Sequence, residues 1–197
     1  MNEVTPAPPP ERPPTASIEA EILRRESAKA FRGAVWGVLK ALLVVAAASV
    51  LLSMLWIPVL RVYGESMLPT LRDGEIVVAI KQSTFKRGDI VAFYYNNKVL
   101  LKRVIAVSGE WVDIDADGVV SVDGEVLDEP YAPEKGLGTC DIELPYQVPD
   151  ERWFVMGDRR LTSVDSRLSA IGAVSGEQII GKVALRLWPV ADFGRVK

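Results

Sequence analysis

The chain contains no histidine, so the commonest proton-transfer side chain is missing from any chemistry it performs. A Ser-His-Asp triad, a Cys-His pair and a His-ligated metal site are all excluded. Its one cysteine, Cys140, has no second thiol with which to form an internal disulfide or a multi-cysteine zinc site, and it reads as structural. Basic charge is also scarce. With 23 Lys and Arg against 26 Asp and Glu, the formal net charge is -3, and no global basic field supports a nucleic-acid partner. There is no Gly-rich phosphate loop and no internal repeat. At 197 residues the chain has room for one anchor segment and one globular domain of ordinary size.

Residues 1–16 carry Pro8, Pro9, Pro10, Pro13 and Pro14 and almost no large apolar side chain, a composition that cannot bury a core and predicts a disordered tail. From 17 to 40, early Glu19 and Glu21 followed by Arg24, Arg25, Lys29 and Arg32 match the charge order of a helix and predict a juxtamembrane one. Ala41–Leu60 is an uncharged run of 20 residues, which at about 1.5 Å per helical residue covers a hydrocarbon core of roughly 30 Å. It predicts a transmembrane anchor rather than a cleavable signal, because about 40 residues precede it. Arg24, Arg25, Lys29, Arg32 and Lys40 lie before the run, against Arg61 and Arg72 after it. This bias predicts a cytoplasmic N-terminus and a domain on the extracytoplasmic face of the cell membrane.

Beyond Leu60 the pattern changes to short β-branched and aromatic runs at 75–80, 89–95, 99–107, 111–115, 119–122, 153–156 and 179–188. Asn96-Asn97 and Asp123-Gly124 sit where tight hairpin turns are expected, so the domain is predicted to be mainly β with antiparallel pairing.

Three segments carry candidate chemistry. In Gly64-Glu65-Ser66-Met67-Leu68-Pro69-Thr70-Leu71 a serine lies between a glycine and a proline-fixed turn, where backbone amides can face a developing oxyanion. Read alone, Ser66 is a turn residue as readily as a nucleophile. Lys102 lies in Leu100–Val107, on the same side of a strand as Leu100 and Val104. Without a serine in need of a base it would be a lysine snorkelling from an edge strand. With histidine absent, lysine and the carboxylates are the remaining bases, and apolar surroundings favour the neutral amine. The third segment, Gly157–Arg167, is a dense polar loop. Its hydroxyls can hydrogen-bond an amine, and Asp158, Asp165, Arg160 and Arg167 can pair to stiffen it.

Together with Arg87–Phe93 and Gly181–Val183, these segments resemble the bacterial type I signal peptidases, membrane-bound Ser/Lys leader peptidases that remove signal peptides from exported proteins. The resemblance implies Ser66 as nucleophile, Lys102 as general base and Ser163 as the hydroxyl orienting the lysine. It also implies Asp165 and Arg167 as a structural ion pair, supported by Asp158 and Arg160. The expected fold is an antiparallel β-sheet catalytic domain over 61–110 and 151–197, with a smaller β-rich insertion over 111–150. Candidate substrate-groove residues are Leu60, Val62, Met67, Leu71, Leu100 and Leu101, facing small side chains at positions -1 and -3 before the cut. No metal or other cofactor is implied, and the expected partners are signal peptides of exported preproteins and the lipid bilayer. This chain has Gly64 where some members place an oxyanion-hole serine, leaving the Ser66 and Gly64 region to supply that stabilisation, and Arg159 where many relatives carry Asn. Two alternatives stand beside this reading: a Ser/Lys peptidase dedicated to one partner, and an inactive membrane-tethered scaffold.

Overall fold

The computed structural model describes residues 15–196. The expected tail therefore lies outside the described residues, apart from its last two positions. One helix, α1 (Thr15–Trp56), is followed by β1 (Val59–Arg61), β2 (Ile76–Ile80), β3 (Ile90–Tyr95) and β4 (Lys98–Ala106). A second group comprises β5 (Trp111–Ile114), β6 (Val120–Val122), β7 (Glu125–Val126) and β8 (Tyr146–Gln147). The chain then forms β9 (Arg152–Met156), β10 (Val174–Ser175), β11 (Ile179–Trp188) and β12 (Gly194–Arg195).

The helix corrects the expected segment boundaries. The juxtamembrane stretch and the anchor are one continuous helix, and it stops at Trp56 rather than Leu60. Pro58 explains the stop, because its ring disfavours helical backbone at the preceding Ile57. Val59–Arg61 pairs instead with Ile76–Val78 of β2. The uncharged helical run is thus 41–56, about 24 Å long, and the stretch long and apolar enough to cross a membrane is Phe31–Leu51, which includes Arg32 and Lys40. That stretch is one compact unit with its flanks, and Ser53–Lys197 is the other.

Within the second unit the strands are mainly antiparallel and form two sheets. The larger has the order β1-β2-β11-β3-β4-β9-β10, with β12 added to β11, and the smaller has the order β7-β6-β5-β8. The two hairpin signals are realised. Asn96 and Asn97 both take positive φ between Tyr95 and its partner Lys98, and Asp123-Gly124 does the same between Val122 and Glu125.

The centre of the large sheet is apolar on both faces. Ile90 and Ala92 of β3 join Val62, Met67, Leu71, Val77, Leu101 and Val183 on one side, while Val91 and Phe93 join Phe85, Val104 and Val155 on the other. A third cluster, with Ile105, Phe154 and Met156 from the large sheet and Val112, Ile114, Val120 and Val122 from the small one, makes the two sheets share a core. The consequence for the site is that β4 lies in the sheet interior, with Leu101–Ala106 buried throughout. Any charge in that stretch is withdrawn from water.

Candidate active site

Two charged residues sit in that stretch, Lys102 and Arg103, each 2% exposed. Lys102 reaches the turn that follows β1, where its Nζ donates a hydrogen bond of 2.7 Å to the Oγ of Ser66. Burial pushes the Lys102 amine down to about 8, against the pull of Asp165 and Asp158, which favour the charged form, and with help from Arg167. At pH 7 a lysine of ordinary pKa needs about 4–5 kcal/mol to lose its proton, whereas one near 8 needs about 1.4 kcal/mol. Ser66 and Lys102 therefore meet as a hydroxyl and an amine poised to exchange a proton.

The Ser66 turn is fixed from several sides. Met67 is buried beneath it, the Leu71 amide donates to the Met67 carbonyl at 2.8 Å, and the Arg159 amide donates to the Ser66 carbonyl at 3.0 Å. Gly64 has φ +83°, a conformation that side-chain-bearing residues rarely adopt. Its amide donates to Asp73 Oδ1 at 2.7 Å, which corrects the expectation that Gly64 helps hold an oxyanion. The Ser66 amide has no protein acceptor among the described residues.

In the polar loop, Asp165 and Arg167 form the expected pair, with Arg167 Nε and one Nη each 2.9 Å from a different carboxylate oxygen. Asp158 and Arg160 do not support it by pairing within the loop. Asp158 takes two hydrogen bonds from Arg103, at 2.8 and 2.7 Å, and Arg160 forks onto Glu129 of the segment following β7. The physical reason is burial: all six side chains are at most 3% exposed, and each buried carboxylate requires a guanidinium of its own. Tyr131 stacks on Arg103 at 4.0 Å, and burial together with Glu129 pushes its phenol well above the ordinary range. The exposed Glu65 pairs with Arg159 at the rim of the site.

Ser163 is buried beside Gly157, but its Oγ has no hydrogen-bond partner among the described residues, so the expected bond to Lys102 is not formed in this structure. Gly157 is held to glycine by contact. A Cβ there would lie 2.2 Å from Ser163 Oγ and 2.6 Å from the Ser66 carbonyl oxygen. The six expected groove residues separate into two groups. Val62, Met67, Leu100 and Leu101 line a cavity of about 30 Å³ that also touches Ser66 and Lys102. Leu60 and Leu71 do not line it; Leu71 is fully buried in the core below and Leu60 packs against that core. A wider cavity of about 490 Å³ shares Gly64, Ser66, Leu100 and Lys102 and continues to Glu65, Arg159, Thr162 and Val164.

Sequence reasoning missed Arg103 and Glu129. The signal for Arg103 was its place in an otherwise apolar strand, whereas Glu129, between Asp128 and Pro130, reads as an ordinary turn residue.

A serine hydroxyl against a desolvated amine, on a mainly antiparallel fold, is an arrangement that a serine hydrolase can use without histidine. A family model described as signal peptidase, peptidase S26, matches residues 35–188, and the chain belongs to this family of serine peptidases. Among its relatives, signal peptidase IB of Staphylococcus aureus (strain COL) is 38% identical over 150 residues, covering 66% of this chain and 77% of that protein. Signal peptidase I of Bacillus amyloliquefaciens is 35% identical over 145 residues, 68% of this chain and 77% of that one. A crystal structure of a signal peptidase I from Enterococcus faecalis V583 aligns at 27% identity with a TM-score of 0.43, covering 50% of this chain and 96% of that one.

Gly157→Ala is expected to lower kcat by roughly 100-fold, because relieving the contact moves the Ser66 carbonyl by the better part of an ångström. Turnover at saturating substrate, with folding checked by circular dichroism, tests this; wild-type kcat would mean that the loop does not constrain the serine.

Proposed function

We propose that this chain is a membrane-anchored serine endopeptidase that removes N-terminal signal peptides from exported proteins by a Ser/Lys mechanism. The observation that carries the reading is the 2.7 Å contact between Lys102 Nζ and Ser66 Oγ in surroundings that weaken the charged amine. Neutral Lys102 takes the Ser66 proton as Oγ attacks the carbonyl carbon of the scissile bond, and the Ser66 amide is the nearest donor to the oxyanion. Lys102 then passes the proton to the leaving amine. Water, deprotonated by neutral Lys102, attacks the ester carbon, and Lys102 returns that proton to Oγ as the bond to Ser66 breaks. In this reading Ser163 supports the lysine once its buried hydroxyl turns toward it.

Ser66→Ala and Lys102→Ala are each expected to abolish cleavage of a preprotein without unfolding the domain, since the two act as one unit. The pH dependence follows from the amine. Because only neutral Lys102 accepts a proton and its pKa is depressed to about 8, kcat/KM falls about tenfold per pH unit below 8 and levels off above it. A flat profile with chemistry rate-limiting contradicts a lysine base.

The cavity of about 30 Å³ beside the dyad has room for little more than a methyl group, which supports small residues at -1 and -3 of the cleavage site. Replacing Ala by Phe at -1 is expected to block cleavage by at least 100-fold in kcat/KM. Equal turnover of the two substrates removes this specificity reading.

The anchor is read as Phe31–Leu51 with a cytoplasmic N-terminus, supported by Arg24, Arg25 and Lys29 before it and by Arg32 and Lys40 within its N-terminal half. Anchoring enzyme and signal peptide in one bilayer confines their encounter. A form lacking residues 1–56, which keeps β1, is expected to lose efficiency on membrane-inserted preprotein while cleaving a short soluble peptide normally. Equal losses on both substrates show that the anchor does not present substrate.

A further inference from the structure

The turn bearing Ser66 ends at Thr70, and Thr70 is gripped from two directions. Its hydroxyl lies between Arg103, which donates to it at 3.2 Å, and Asp158, to which it donates. Its carbonyl accepts a 2.6 Å hydrogen bond from Arg186 of β11, 116 residues further along the chain. Arg186 sits opposite Val77 of β2, so it is mounted on one of the longest pairings of the large sheet. Its Nε lies 3.0 Å from the carboxylate of Glu75, a residue only 3% exposed. No group among the described residues makes an aligned hydrogen bond to either Glu75 oxygen, so charge holds this pair together.

The arrangement suits a guanidinium and not an ammonium. One rigid plane holds Nε 3.0 Å from the carboxylate by charge while an Nη reaches the turn carbonyl, so attraction to Glu75 keeps the guanidinium where the second contact can form. Turn carbonyls have no ladder partner, and besides the Thr70 hydroxyl contacts the Ser66–Leu71 segment is fixed by the Arg159 amide at its start and by the Leu68–Glu65 and Leu71–Met67 bonds of the turn itself. Arg186 anchors the backbone of the other end, where Arg103 and Asp158 hold the Thr70 hydroxyl.

We propose that Arg186 is a positioning residue for the nucleophile, oriented by the buried Glu75 and acting through the Thr70 carbonyl on the turn that carries Ser66. This rests on the reading of Ser66 and Lys102 as nucleophile and base. Arg186 touches no reacting atom. Its contribution is to hold the hydroxyl at proton-transfer distance from Lys102, a geometry in which a shift of about 1 Å costs on the order of 100-fold in rate.

The test uses the full-length enzyme in detergent with a preprotein substrate, and compares Arg186→Lys with the double variant Glu75→Gln/Arg186→Gln. Arg186→Lys keeps a cation beside Glu75 but loses the fork; the double variant leaves no unpaired buried carboxylate to unfold the protein. In both, kcat per folded enzyme is expected to fall at least tenfold with KM within about twofold of wild type. Either variant with kcat within twofold of wild type, or with only its thermal unfolding midpoint lowered, overturns the positioning role. The control is Ser66→Ala: if wild-type cleavage survives that substitution, the nucleophile reading itself fails. With cleavage dependent on Ser66, unchanged kcat in the Arg186 variants overturns the positioning role alone.

Discussion

A lysine amine can act as a base near neutral pH only if water is kept from its charged form, and this requirement bears on everything around Lys102. Its strand is central in the large sheet, and burial is the dominant influence on its pKa. Two carboxylates, Asp165 and Asp158, would undo that influence if left unpaired, because each favours the charged amine. Both are instead engaged by a forked guanidinium, Arg167 on the first and Arg103 on the second. The balance leaves burial ahead.

Buried ion pairs contribute little net stability, because desolvating two charges offsets most of their attraction, but removing one partner costs about 3–5 kcal/mol. Three such pairs surround this site, and they bind separate pieces of chain into one layer. Arg103 ties β4 to the polar loop, Arg160 ties that loop to Glu129, and Arg167 donates to the Leu137 carbonyl at 2.6 Å. The stretch from Glu129 to Leu137, in the connection between β7 and β8, is thereby tied to the layer that holds Ser66 and Lys102. The shared cluster of Ile105, Phe154, Met156 and Val112 carries the same dependence into the apolar core. Small and large sheets hold the site jointly.

The two cavities that meet at Ser66 differ in size. The one of about 30 Å³ is fixed on one side by the core residues Val62, Met67 and Leu101 and bordered on the other by the exposed Tyr63 and Val99. The larger one opens toward the Glu65–Arg159 ion pair, where charge and solvent are both present.

Local signals in the sequence determined a good deal. The missing histidine, the strand alternation around Lys102, the Asn96-Asn97 and Asp123-Gly124 turns and the long apolar run depend on neighbours a few residues apart; they indicated the antiparallel fold and the membrane-length helix and made Ser66 and Lys102 candidates, which the family resemblance paired. The helix end was misplaced by four residues because apolarity continues through Ile57–Leu60 while Pro58 stops the helix, although the proline was visible. Tertiary structure alone decided the charge partners. Asp158 lies beside Arg160 in sequence but pairs with Arg103, 55 residues away, and Arg160 takes Glu129, 31 residues away. Likewise Gly64 lost its expected oxyanion role to Asp73, and Leu71 left the groove for the core. Coulomb attraction and desolvation depend on distance in space, and chain connectivity carries no record of that distance until the strands have packed.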